Sequence, residues 1–160
     1  MAQKTSWTGA SATESDINTY LMHEGGAWTT YVPVVTQSGT PPLTVNRAAY
    51  GRAGRFIYGS VSLTITGAGG VANNFVSVST PVTASATVAG VLPVGSGLIR
   101  DDSAVLYYPQ IVVMKTTTTF AFFAADVASN VYAGQTGSTF ALALASPDTI
   151  QFHFMYEAAT

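Results

Sequence analysis

From Ile57 to Thr66 the chain keeps a strict parity. Ile57, Val61, Leu63 and Ile65 fall on one side, with Gly59 as the gap, and Ser60, Ser62, Thr64 and Thr66 on the other. A period of two marks a strand with one face in a core and the other toward water or a polar partner. Arg52-Ala53-Gly54-Arg55 leads into it as a compact turn in which Gly54 is free to take positive φ. G-A-G-G at 67–70 leads out of it. The C-terminal stretch repeats the pattern: Ile150, Phe152, Phe154 and Tyr156 alternate with Gln151, His153, Met155 and Glu157. Two such strands, far apart in sequence, require a closed or layered all-β body.

The remaining segments fit that reading. A first strand runs over 28–37, with Pro33 forcing an edge or a bulge because proline cannot donate to a ladder. Further strands are expected at 43–50, 55–66, 74–80, 105–114, 116–125, 139–144 and 149–157, and a short, poorly patterned one at 86–91. The Gly-bearing stretches 93–103 and 128–138 read as loops. Eight or nine antiparallel strands at this spacing predict one β-sandwich or jelly-roll-like domain over 27–160, with a small barrel as the other closed form. Ahead of it, residues 1–26 form an arm and a short helix. Thr13 or Ser15 caps the helix at 13–24, Glu14 and Asp16 suit its N-terminal end, and Gly25-Gly26 stops it. Ile17, Tyr20 and Leu21 share one face. About three turns are marginal alone in water, so this face must dock on the β body, a neighbouring subunit or a larger particle. Trp7, alone in a polar arm, reads as a second anchor.

Charged residues make up 9% of the chain, against about 25% in ordinary soluble domains. Solubility therefore rests on hydroxyls and amides, and such a surface tolerates burial in an assembly because few charges must be desolvated. Six Lys and Arg spread along the chain make no basic patch, so nucleic acid is not an expected partner. With no cysteine, disulfides and cysteine-ligated zinc are excluded. No apolar run has the ~18 residues of a membrane span, and the N-terminus shows no secretory pattern. The chain is expected to be made, and to assemble, in a cytoplasm.

Candidate sites are few. His23 and His153 have no acidic partners at ligand or catalytic spacing. Asp101-Asp102 offers oxygens to a hard cation, but the pair suits a turn whose carboxylates bond local backbone. G-A-G-G and G-S-G are turns, not phosphate cradles, since no helix follows either. Neither catalytic residues, a bound metal nor a cofactor is expected. Tyr107 and Tyr108, like Phe122 and Phe123, are adjacent on strands, so one ring of each pair points away from the core. These four are expected at a contact between subunits.

Three segments, D-I-N-T-Y-L-M-H-E-G-G-A-W-T-T-Y-V-P-V-V-T-Q-S-G, Y-G-R-A-G-R-F-I-Y-G-S-V-S-L-T-I-T-G-A-G and L-A-S-P-D-T-I-Q-F-H-F-M-Y-E-A, together resemble the small virion structural proteins of tailed bacteriophages, particularly those of actinobacteria. The likeness covers nearly the whole chain. It implies a non-enzymatic β module of the virion, a homotrimer, held to other virion proteins through Trp7, Ile17, Tyr20 and Leu21. It implies a minor tail or tail-tip protein that contributes to host attachment, or a capsid decoration protein. A host cell-surface glycan is a further candidate partner.

Overall fold

The computed structural model describes residues 28–90, 92–126, 131–133 and 142–159. The helix expected at 13–24 and the anchors Trp7, Ile17, Tyr20 and Leu21 lie outside them. Within them the chain is mainly β. The strands are β1 (Thr29–Thr30), β2 (Val35–Thr36), β3 (Leu43–Ala53), β4 (Phe56–Ile65), β5 (Ser77–Ser79), β6 (Leu92–Asp101), β7 (Leu106–Thr116), β8 (Thr119–Asp126), β9 (Val131–Ala133) and β10 (Thr149–Glu157). All pair antiparallel in one sheet of order β1-β3-β4-β10-β6-β7-β8-β5-β2, with β9 on β8.

The two alternating strands recognised in the sequence are direct neighbours. Leu63 opposes Ile150, Val61 opposes Phe152 and Gly59 opposes Phe154. Ile57, Val61, Leu63 and Ile65 are buried, as are Ile150, Phe152, Phe154 and Tyr156. Gly59, the gap in the apolar parity, is filled from across the ladder. A Cβ there would overlap the Phe154 ring and crowd the Ala49 carbonyl.

β6 replaces the loop expected at 93–103. Gly95 and Gly97 flank β10 on its other side, opposite Phe154 and Phe152. A side chain at Gly97 would meet Phe152 Cβ at 2.7 Å, and one at Gly95 would enter the His153 backbone. These glycines are strand residues that make room for the close-lying β10 backbone, a use of glycine that looks like a turn in sequence. The 86–91 segment departs in the opposite sense. Ala86–Val88 is a 3-10 turn capped by Ser85, whose hydroxyl accepts from the Thr87 amide. Leu142–Leu144, the described part of the strand expected at 139–144, is not strand.

The sheet curls into a half-barrel around one core. Phe120 on β8 is three ladders from β10, roughly 14 Å along a flat sheet. Its ring centroid nevertheless lies 4.8 Å from Phe154, 5.6 Å from Phe152 and 5.7 Å from Tyr156. The expected first strand completes the curl. Its start, β1, pairs with β3 at one end of the strand order, and its finish, β2, pairs with β5 at the other. The Tyr31 amide still donates to Ala48, and the Val34 carbonyl already accepts from Ser79. Only Val32 and Pro33 separate the two pairings, so the proline marks where one segment leaves one edge for the opposite edge.

Each end of the curl is stitched by a buried polar group. At one, Gln37 is fully buried. Its amide donates to the Leu142 carbonyl at 2.6 Å and its oxygen accepts from the Leu144 amide at 2.9 Å. At the other, the Tyr156 hydroxyl donates to the Val82 carbonyl at 2.6 Å. Burial pushes that phenol up to about 12.

Replacing Gly59 with alanine is expected to lower stability by about 1–3 kcal/mol, because the ring packed there must shift. Ser60→Ala, on the outer parity, is expected to stay within about 0.5 kcal/mol. Urea titration of the two variants beside the unmodified chain checks this, and equal midpoints would show that Phe154 does not depend on the gap.

Candidate functional site

Among the described residues the inward parity is buried in the core, and a groove lies on the outer face of β3, β4, β10 and β6. The polar parity of the two alternating strands lies there. Ser60 opposes His153, which opposes Ser96, and Ser62 opposes Gln151. The Ser96 hydroxyl and His153 Nε2 are 3.1 Å apart. With Arg47, these side chains line a shallow groove of about 510 Å³.

Arg47 reaches this face through a bulge. Val45 pairs with Leu63 and Arg47 with Ser62, so Asn46 is the extra residue. Two successive side chains thereby point outward, a means of re-aiming a side chain. Asn46 donates to the Thr64 hydroxyl at 2.8 Å, and Arg47 Nε donates to the Ser60 hydroxyl at 2.8 Å. The Arg47 guanidinium also lies 5.4 Å from the centre of the Trp28 ring, which stands edge-on to Tyr58 at 5.7 Å. Trp28 remains 51% exposed. The groove thus has a hydroxyl and amide floor with Arg47 as the sole Lys, Arg, Asp or Glu of its lining, and Trp28 stands just outside it against the Arg47 guanidinium. Ser96 beside His153 resembles half of a nucleophile–base pair, but no carboxylate among the lining residues orients the ring.

The residues expected at a subunit contact are dispersed. Phe122 points inward and is buried, its ring 5.1 Å from Phe152. Phe123 points outward but is only 6% exposed, packed with Val113 and Ala121 and 5.8 Å from the Phe75 ring. Both rings are covered within the described residues, Phe122 by the main core and Phe123 by Val113, Ala121 and Phe75. Tyr108 is half-buried against the main core. Tyr107 is 56% exposed, with the Arg100 guanidinium 5.6 Å from its ring centre.

Tyr107 adjoins the β6–β7 hairpin tip, where Val105 has φ of 55°. That is an uncommon conformation for a β-branched residue. The tip is held by acids. Asp101 accepts from the Ser103 hydroxyl at 2.7 Å and the Ala104 amide at 3.1 Å. Asp102 pairs with Arg100, and buried Asp148 accepts from the Asp102 amide. Asp101 therefore serves the local backbone, the turn role that the sequence suggests for the pair, whereas the Asp102 carboxylate pairs with the Arg100 side chain.

His153 stands on the polar parity anticipated for it, but its neighbours were not legible. Nothing in the sequence pairs β10 with β6, and only the bulge brings Arg47 to the groove. Neither protein-family models, nor curated proteins, nor solved structures give a match to this chain.

The bonds from Ser103 and Ala104 hold the Asp101 carboxyl below its ordinary value of 3.8. A carboxyl depressed by folding contributes stability above its unfolded value and loses it as pH falls through the folded value. Asp101→Asn is accordingly expected to unfold at lower urea than the parent near neutral pH, with the difference closing below 3.8. A gap that persists in acid would mean that packing at the tip, not ionisation, sets the loss.

Proposed function

We propose that this chain is a non-enzymatic structural module of a tailed-phage particle, a trimer fixed to the particle through residues 1–26, with its β body exposed at the tail tip where it contributes to host attachment. The observation that carries the reading is the outer face. Hydroxyl, amide and imidazole groups form a groove beside an exposed tryptophan on the body's outer face. The resemblance of three segments to phage virion proteins supports the same conclusion, as does a surface with few charges to desolvate on assembly. In this reading the two arms of the curled sheet act as the layers of a jelly roll closed over the aromatic core. Tyr107, with exposed Val105 and Leu106 beside it, supplies the contact between subunits.

A capsid decoration protein is the second reading, favoured by the weakly charged surface alone. Gold-labelled antibody against this chain separates them: label at the tail tip supports attachment, and label over the shell supports decoration. No label on purified particles overturns both.

Light scattering of the purified chain is expected to give three times its 16.6 kDa mass, and a monomer at micromolar concentration would remove the trimer from the proposal. Replacing Trp7, Ile17 and Leu21 together by alanine is expected to leave the melting transition in place and to deplete the protein from purified virions. Unchanged incorporation would place the attachment surface on the β body instead.

A further inference from the structure

We propose that the groove on the outer face binds an uncharged pyranose unit of a glycan, with Trp28 as the stacking platform and Ser60, Ser62, Ser96, Gln151 and His153 as the groups that read its hydroxyls. The inference rests on the reading of the chain as a host-attachment module and names what that module would hold.

The chemistry of the groove narrows its occupant. β3 is paired on its outer side only around Ala48–Tyr50, but β4, β10 and β6, which carry the groove floor, each pair on both sides, so their backbone groups are taken up by ladders. A peptide cannot add itself as a strand there, as it can at a free edge. Recognition must come from side chains. Arg47 is the sole Lys, Arg, Asp or Glu of the lining, too little for a nucleic-acid backbone, which is bound through many cations. That guanidinium is also engaged already, by the Ser60 hydroxyl at 2.8 Å and by the Trp28 ring. It therefore orients its neighbours more than it waits for an anion.

What remains is a row of groups that can both donate and accept: three serine hydroxyls, the Gln151 amide and the His153 imidazole. A ligand bearing several hydroxyls has the same dual character and satisfies such a row without desolvating a charge. A pyranose adds an apolar face of C–H groups, which suits an exposed indole. Trp28 is held for that task, edge-on to Tyr58 and beneath Arg47, so its ring is pre-set. A shallow groove of about 510 Å³ fits one or two sugar units of a longer chain.

The test applies the full chain to a printed array of neutral oligosaccharides ending in glucose, galactose, mannose or N-acetylglucosamine, with sialylated and sulfated members beside them. Retention of at least one neutral glycan is expected, followed by calorimetric titration with the same sugar in solution. Trp28→Ala is expected to weaken that binding at least about tenfold, as loss of a stacked aromatic does. Gln151→Ala, at an exposed position, is expected to weaken it by a smaller factor without moving the urea midpoint. Thr118→Ala, at an exposed position in the β7–β8 turn outside both the groove and the proposed subunit contact, is expected to leave it unchanged. Retention confined to acidic glycans overturns the inference, as does retention indifferent to both groove substitutions, or none at all. The two proposals fail separately. Protein found on the virion that retains no glycan overturns only the sugar site, and retention by a protein absent from virions overturns only the particle assignment.

Discussion

Everything in this fold hangs on the placing of two phenylalanine rings. Phe152 and Phe154 sit at the middle of β10, and β10 is central in the strand order. A sheet with bulky side chains on every inward position beside them would have no room for either ring. Space for the Phe154 ring is made by the missing side chain of Gly59 on one neighbouring strand, while Gly95 and Gly97 on the other let β6 lie close against the β10 backbone. The rings then reach Phe120 and Phe122 on β8, three strands away, which is possible only if the sheet curls. Glycine costs strand stability when taken alone, on the order of 0.5–1 kcal/mol relative to alanine. Here burial of each aromatic ring, about 1.5–3 kcal/mol, offsets it. The curl is thus a consequence of the aromatic row.

A curled sheet still needs its ends secured. One segment, Trp28–Gln37, does this by pairing with β3 at its start and β5 at its finish. Pro33 sits between the two pairings, where no ladder asks for its missing amide proton. The same segment ends in Gln37, whose side chain ties down Leu142 and Leu144. Removing that amide would leave a buried carbonyl and a buried amide without partners, at about 1–3 kcal/mol each. Closure and loop order are therefore written into ten consecutive residues.

This distribution explains how much the sequence reveals. β4 and β10 are legible because each alternates cleanly, and their burial follows their parity residue by residue. Gly54 is legible too, adopting φ of 60° in the turn that it was expected to make. β6 is not, because its glycines answer to the backbone of another strand, and a single strand carries no sign of its neighbour. The Ala86–Val88 turn was misjudged for a related reason: Thr and Val suit strands, but a cap from Ser85 and bonds across the end of the curl decide its shape. For Phe122 and Phe123, alternation correctly sent one ring each way. It could not show that Phe75 would cover the outer one. The groove was half legible. Its polar rows are visible as parity on β4 and β10, while Arg47 depends on a one-residue bulge and Trp28 on a chain closure.

The same physics that fills the interior sets the character of the exterior. Among the described residues the inward parity is packed with aromatic rings, and the groove lies on the outer parity. Strand alternation then fixes what is available there: the residues between the rings of β10 are Gln151 and His153, and those between the aliphatics of β4 are Ser60 and Ser62. Because the inner parity locks the register, these side chains are held at strand spacing without needing contacts of their own. A one-residue slip of β10 against β4 would send Phe152 and Phe154 into water and the polar row into the core. The groove therefore draws its rigidity from rings that it never touches with its polar atoms. A loop would have to hold such an arrangement by side-chain bonds alone; here the strand register sets the spacing, and the bonds of Ser60 with Arg47 and of Ser96 with His153 add to it.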